Sequence, residues 1–242
     1  MRSILLLKLI SLLLLSGLSA VTTAQLSDPD AFLGERVAMV ETQIEARGVE
    51  DARVLDSMKE VPRHLFIRES LWSLAYSDSP LPISNNQTIS QPYIVALMTE
   101  LLQPEEHHVV LEIGTGSGYQ AAVLSMLVDW VYSIEIVPEL GRRAEGILDR
   151  LGYDNVTVRV GDGYQGWPEE APFDGIIVTA APEEIPQQLV EQLKPGGRMI
   201  LPVGPRRSGQ DLLVLEKDGE GNVSTRQTIP VRFVPMVREE ER

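Results

Sequence analysis

The sequence predicts an α/β fold: a doubly wound, Rossmann-like parallel sheet, preceded by helices and finished by antiparallel strands. Three observations carry that expectation. From residue 109 onward, short β-rich runs alternate with helical ones, the pattern of successive βαβ units. The first of these strands, residues 109–113, runs into the turn Gly114-Thr115-Gly116-Ser117-Gly118 and then a helix. Near the end, two β-rich runs flank Asp218-Gly219-Glu220-Gly221-Asn222, a hairpin signal that makes the last strands antiparallel.

Residues 1–24 differ from all that follows. Arg2 and Lys8 are their only charges, 4–7 and 9–15 are almost wholly apolar, and Thr22-Thr23-Ala24 puts small residues before Gln25. A positive start, an apolar middle and a small-residue cleavage site make a secretory signal peptide and an exported, periplasmic-type protein. Left uncleaved, the segment would be a membrane anchor and the chain's contact with the bilayer. The expected division is 1–24 as signal peptide and 25–242 as one domain, with a helical part (25–80), a cofactor-binding core (81–210) and a hairpin with a charged tail (211–242).

Within 25–80, Asp28-Pro29 reads as a cap and first turn, Phe32, Val37, Val40 and Ile44 follow at helical spacing, and Gly48 ends the helix. Asp51 caps a second helix through Val54, Leu55 and Met58 that stops before Pro62, and Leu71, Trp72 and Leu74 form a third apolar stretch. Arg63 and His64 read as structural. Residues 77–92, rich in Ser, Pro and Asn, read as a long ordered loop, and such a loop in a compact domain is usually functional. A helix over 94–102 ends before Pro104. The alternating part then gives strand 109–113, helix 119–128, strand 130–136, helix 140–151, strands 156–160 and 175–179, helix 185–193, strand 198–203 and hairpin strands 211–217 and 223–234. Right-handed crossovers bring the C-terminal ends of the parallel strands to one edge, where ligands bind in such sheets.

Composition narrows the chemistry. The 242 residues are 43% hydrophobic and 23% charged, enough for a folded core. A net charge of −14 without a dense basic run disfavours nucleic acid as a partner. The absence of cysteine excludes disulfides, thiolate zinc sites and a cysteine nucleophile. Only His64, His107 and His108 could serve a histidine-based site, so no metal is expected.

The glycine turn is the strongest local motif. Its third glycine falls one position early for the G-x-G-x-x-G turn that seats a pyrophosphate, which disfavours a nucleotide-dependent oxidoreductase. A ligand with a ribose and an amino-acid moiety but no phosphate, as in S-adenosylmethionine, suits it. Glu135, at the end of the second strand and 21 positions after Gly114, can accept hydrogen bonds from both ribose hydroxyls. Asp162, after the third strand, can accept from an adenine amino group, with Gly163 giving the ring room. Glu112, just before the glycines, either braces the turn or meets the ligand's ammonium.

The chain resembles the protein-L-isoaspartate (D-aspartate) O-methyltransferase family over about residues 36–236. The residues that carry the likeness are Val61-Pro62-Arg63-His64-Leu65-Phe66, Leu81-Pro82-Ile83, Gln87-Thr88-Ile89-Ser90-Gln91-Pro92-Tyr93, Glu112 through Gln120, Gly161-Asp162-Gly163, Lys194 through Arg198 and Leu201-Pro202-Val203-Gly204. The Thr-Ile-Ser-Gln-Pro run is far more specific than the glycine turn. Ser84 and Asn86 depart from the family's usual glycines, and Asn86 is a workable replacement because Asn tolerates left-handed backbone.

The resemblance implies methyl transfer from S-adenosyl-L-methionine to the free α-carboxylate of L-isoaspartyl, and D-aspartyl, residues of damaged proteins; a monomer is expected. The ester then cyclises to a succinimide without enzyme help. It implies a cofactor site of Glu112, Gly114, Thr115, Gly116, Ser117, Gly118, Glu135, Asp162 and Gly163, with Ser90 as the active-site serine and Thr88, Ile89 and Tyr93 beside the substrate. Gln210 is a further candidate for closing the cofactor site. Another S-adenosylmethionine-dependent methyltransferase, or a catalytically silent exported protein of this fold, are the alternatives.

Overall fold

The computed structural model describes residues 28–205 and 209–238; the apolar N-terminal segment lies outside them. Two short strands come first, β1 (Leu81–Pro82) and β2 (Thr88–Ile89). The strands β3 (Val109–Ile113), β4 (Trp130–Glu135), β5 (Val156–Val160), β6 (Phe173–Val178), β7 (Leu193–Val203), β8 (Gln210–Lys217) and β9 (Val223–Val231) follow. Among the described residues they make one seven-stranded sheet, in the order β5-β4-β3-β6-β7-β8-β9. Pairings from β5 through β7 are parallel, and β8 and β9 close the sheet antiparallel. This is the doubly wound sheet that the alternation predicts. The helices are α1 (Leu33–Met39), α2 (Ala52–Glu60), α3 (Pro92–Leu102), α4 (Tyr119–Ser125), α5 (Pro138–Leu151) and α6 (Gln187–Gln192).

Side chains alternate across the central strands, so each face of the sheet feeds its own core. Val110 and Ile177 pack into a cluster with Met39, Val54, Met58, Val95 and Leu124 from the helices. Leu111, Ile113, Ile176 and Val178 pack into a second cluster with Trp167, Phe173 and Leu189. Burial on both faces explains why these strands read as unbroken apolar runs. The chain leaves β3 toward β5, then crosses back to β6 on β3's other side. Strand order reverses there, and the C-terminal ends of β3 and β6 part to leave a crevice.

Four local expectations are corrected. The first helix does not start at Asp28-Pro29: α1 begins after Phe32, while the Asp28 carboxylate accepts from Asp30 N–H in a separate turn. That helix also loosens, passing through a π-helical stretch (Val40–Ile44) and a 3₁₀ turn (Glu45–Arg47) before Gly48 ends it at φ 90°. The segment 77–92 is a hairpin as well as a loop, because Leu81 pairs with Ile89 and Pro82 with Thr88. Its turn carries Asn85 and Asn86 at φ 56° and 58°, closed by Gln87 N–H to Ser84 O at 3.1 Å. A two-residue hairpin loop of this twist needs two positive φ angles, and Asn supplies them at lower cost than most residues. Lastly, the strand expected over 223–234 ends at Val231, and the chain beyond it leaves the sheet.

Candidate active site

The crevice opens into a cleft of about 860 Å³, counting its open mouth. Its floor is Gly114, Thr115, Gly116 and Ser117 after β3. One side is Glu135, Ile136 and Val137 after β4, and another is Gly163, Thr179 and Ala180. Gln87 through Ser90 line it from the hairpin, and Val234 through Val237 line it from the chain's end.

The glycine turn is held from both neighbouring strands. Gly114 N–H donates to Ile134 O at 2.8 Å, and the Thr179 hydroxyl donates to Gly114 O at 2.6 Å. Gly114 has φ 97°, and a Cβ there would stand 2.6 Å from Thr179 Oγ1, so no other residue fits without displacing that hydroxyl. Glu135 lies at the turn's far side, 5% exposed. Its Oε2 accepts from Gly116 N–H at 2.7 Å and its Oε1 from Val137 N–H at 2.9 Å. Both its oxygens are thus oriented by backbone at the end of β4, against the cleft.

Glu112 lies elsewhere. It pairs in register with Ser133 of β4 and is fully buried beneath the turn, outside the cleft wall. The Ser133 hydroxyl donates to Glu112 Oε2 and shares a 2.6 Å hydrogen bond with Thr115 Oγ1. These contacts tie β3, β4 and the turn together. Burial pushes its carboxyl up to about 8, opposed by the Ser133 hydrogen bond and aided by the Glu135 charge. Its Oε1 has no hydrogen-bond partner among the described residues.

Asp162 accepts from Tyr164 N–H at 2.9 Å and caps the short turn Gly163–Gln165. Gly163, in the cleft wall, is packed so closely that a Cβ would overlap Ile113 Cγ2. Asp162 and Gly118 flank the wall without joining it. Ser90, between β2 and α3, is half-buried and lines the cleft with Thr88 and Ile89. Its hydroxyl makes no hydrogen bond to another described residue, and the N-cap position of α3 belongs to Gln91, so Ser90 does not cap the helix. Tyr93 is not in the wall. Its ring lies under the Arg47 guanidinium, with Cζ 3.4 Å from the ring centroid.

Sequence reasoning missed the last wall. After β9 the chain crosses to Ala181, whose N–H donates to Val234 O at 2.8 Å and whose carbonyl accepts from Met236 N–H at 2.8 Å. This lays Val234 through Val237 along the cleft. Val234 ends the run read as strand 223–234, and Pro235 is the sequence mark that the chain stops pairing there, though nothing local says where it goes next. Gln210 acts on this strap and not on the cleft: its side chain clamps Phe233, accepting from N–H at 2.6 Å and donating to O at 3.3 Å. Arg63 and His64 are structural, as expected. Buried Arg63 donates to Ala75 O at 2.8 Å, with its guanidinium lowered to about 10 by desolvation, and His64 bonds Tyr76 Oη at 2.7 Å. Among the described residues, one group of possible metal donors (Glu105, His107 and His108) sits before β3, at the sheet edge opposite the cleft.

Comparison with known proteins agrees with this geometry. The family model described as Protein-L-isoaspartate(D-aspartate) O-methyltransferase (PCMT) matches residues 35–241. A protein-L-isoaspartate O-methyltransferase of Gloeobacter violaceus is 55% identical over 201 residues, covering 83% of this chain and 98% of the relative. One from Opitutus terrae is 51% identical over 234 residues, covering 96% of this chain and 97% of the relative. Among solved structures, a protein-L-isoaspartate O-methyltransferase superposes with TM-score 0.77 at 31% identity, over 86% of this chain and 66% of that longer one. A Plasmodium falciparum chain described as a protein-L-isoaspartate O-methyltransferase, in complex with S-adenosyl-L-homocysteine, gives 0.71 at 26% identity, over 84% of this chain and 98% of that one. This chain belongs to the protein-L-isoaspartate(D-aspartate) O-methyltransferase family.

Proposed function

We propose that this protein repairs damaged proteins, moving the methyl group of S-adenosyl-L-methionine to the free α-carboxylate of isoaspartyl residues. One observation carries the reading: a single cleft joins the glycine turn and Glu135 to a Ser90 hydroxyl that no described residue engages. The cofactor fits the residues present. Backbone N–H groups orient both oxygens of Glu135 in the cleft wall, where the carboxylate would receive ribose hydroxyls, the turn tolerates main-chain approach, and apolar Ile113, Ile134 and Val137 line the space beside them. Thr115, Ser117 and Gly163 complete that half, with Glu112, Gly118 and Asp162 supporting it from outside the wall.

S-adenosyl-L-methionine, when bound, supplies an electrophilic methyl group. The acceptor carboxylate is ionised near pH 7 and needs no general base. Ser90 donates a hydrogen bond to one carboxylate oxygen and so aims the other for in-line attack. Thr88 and Ile89 hold the acceptor residue at the cleft wall. Residues 1–24 support export as a further part of this reading, to be checked by sequencing the N-terminus of the mature protein.

The test is transfer of labelled methyl from S-adenosyl-L-methionine to paired peptides that differ only in Asp against isoAsp. Base-labile label on the isoAsp peptide alone is expected; label on neither, with the cofactor still bound, would sink the reading. Ser90→Ala should lower kcat/KM on the isoAsp peptide by about 100-fold while leaving S-adenosyl-L-homocysteine affinity in place.

A further inference from the structure

Ser90 sits on a segment that the sheet does not hold. Its neighbours before it belong to the small β1–β2 hairpin, and those after it to the first turn of α3. In that first turn Pro92 has no N–H, Ile94 N–H already bonds Gln91 O at 3.0 Å and Gln91 makes no side-chain cap, so the N–H of Tyr93 is the one the helix leaves open. Asp78 fills the gap from outside the helix. Its Oδ1 accepts from Tyr93 N–H at 3.0 Å, and its Oδ2 accepts from Gln91 Nε2 at 2.6 Å. The same Oδ2 receives Arg47 Nη1 at 2.5 Å. Arg47 also stacks its guanidinium on the Tyr93 ring.

Asp78 lies just before β1, while Gln91 and Tyr93 lie just after β2 and Ser90. The carboxylate therefore closes the base of the hairpin loop, tying its entry to its exit. A carboxylate at a helix N-terminus is favoured by the helix dipole, and charge-assisted hydrogen bonds are about twice as strong as neutral ones. Arg47, from the end of the first helical stretch, anchors this clasp to the body of the protein.

We propose that Asp78, backed by Arg47, is a positioning residue that sets where the Ser90 hydroxyl stands in the cleft. The proposal rests on the role of Ser90 given above. It gives Tyr93 a purpose the cleft does not: the ring is the surface on which Arg47 is oriented. Asp78 does not line the cleft, and the glycine turn and Glu135 are held by β3, β4 and β6 independently of it. Removing its charge should therefore disturb the acceptor half of the site and spare the cofactor half.

The experiment uses the full chain with Asp78→Asn, Arg47→Ala and Arg47→Lys, each alone, and Asp78→Asn with Ser90→Ala. Methyl transfer to an isoAsp peptide gives kcat and KM, and calorimetry gives the Kd of S-adenosyl-L-homocysteine. Asp78→Asn should lower kcat by about 10- to 100-fold, the scale of a misplacement on the order of 1 Å, with Kd within about twofold. Arg47→Lys should recover part of the loss in Arg47→Ala, because it keeps the charge without the planar stack. In the Ser90→Ala background, Asp78→Asn should add less than about threefold, since the hydroxyl it positions is gone. Losses that multiply, or a Kd that weakens in step with kcat, would overturn the proposal in favour of a general structural role. An unchanged kcat in Asp78→Asn would overturn it outright. A wild-type protein that leaves isoAsp peptides unlabelled would instead refute the reading of function on which it rests.

Discussion

Glu112→Gln offers a measurement whose sign and size both follow from the site. The Glu112 carboxyl is wholly buried under the glycine turn, with Oε1 lacking a hydrogen-bond partner among the described residues. Desolvation raises it from 4.5 to about 8. A carboxyl raised in the native state holds its proton more tightly folded than unfolded. The native state therefore pays nothing below about pH 4.5 and loses stability as pH rises toward about 8. The slope is about 1.4 kcal/mol per pH unit, and the loss levels off above the folded value at about 3–5 kcal/mol. Gln mimics the neutral acid in shape and cannot ionise, and its carbonyl still accepts from Ser133. Urea unfolding at pH 5, 6, 7 and 8 should show the two proteins nearly equal at the acid end and the variant increasingly the more stable above it. Parallel pH curves for wild type and variant would refute the reasoning, because they would mean that Glu112 does not change its proton affinity on folding.

Two further outcomes follow from the cofactor half. Glu135→Gln removes the charge that Gly116 and Val137 orient and should weaken S-adenosyl-L-homocysteine by about 10- to 100-fold in calorimetry; an unchanged Kd would remove Glu135 from the site. Gly163→Ala places a methyl into Ile113 Cγ2 and close to Met236 Cε at 3.2 Å, so it should cost about 1–3 kcal/mol in denaturant unfolding, and a wild-type midpoint would show that the wall yields.

Much of this molecule is legible in one dimension. The alternation of short apolar, β-rich runs with helical ones defines the sheet, and β3 running into three glycines defines where a ligand approaches main chain. Glu135 follows at the end of the next strand, and the Gln87–Tyr93 run carries the family's mark. These are local patterns, and each is written in residues adjacent in sequence. The failures are of one kind. Glu112 and Glu135 are both strand-end carboxylates before turns, yet one lies beneath the floor and the other faces the cleft. Both are on one face of the sheet, since Glu112 pairs with Ser133 and Glu135 is two residues beyond it; what separates them is position along the strands, Glu112 below the turn against the Ser133 hydroxyl and Glu135 at the strand's end. Tyr93 sits in the most recognisable motif and still points at Arg47, a residue 46 positions earlier.

The sequence by itself determined the class of sheet, the glycine turn and the family, because backbone permissiveness and hydrophobic period act between near neighbours. Only the tertiary structure decided which acid is raised by burial, which side chain caps α3 and which segment forms the last wall. The strap from Val234 to Val237 reaches the cleft only by hydrogen-bonding Ala181, and Asp78 becomes the cap of α3 only because the hairpin folds back on itself. Such roles belong to pairs of residues distant along the chain, and desolvation and hydrogen-bond completion act on what folding brings together.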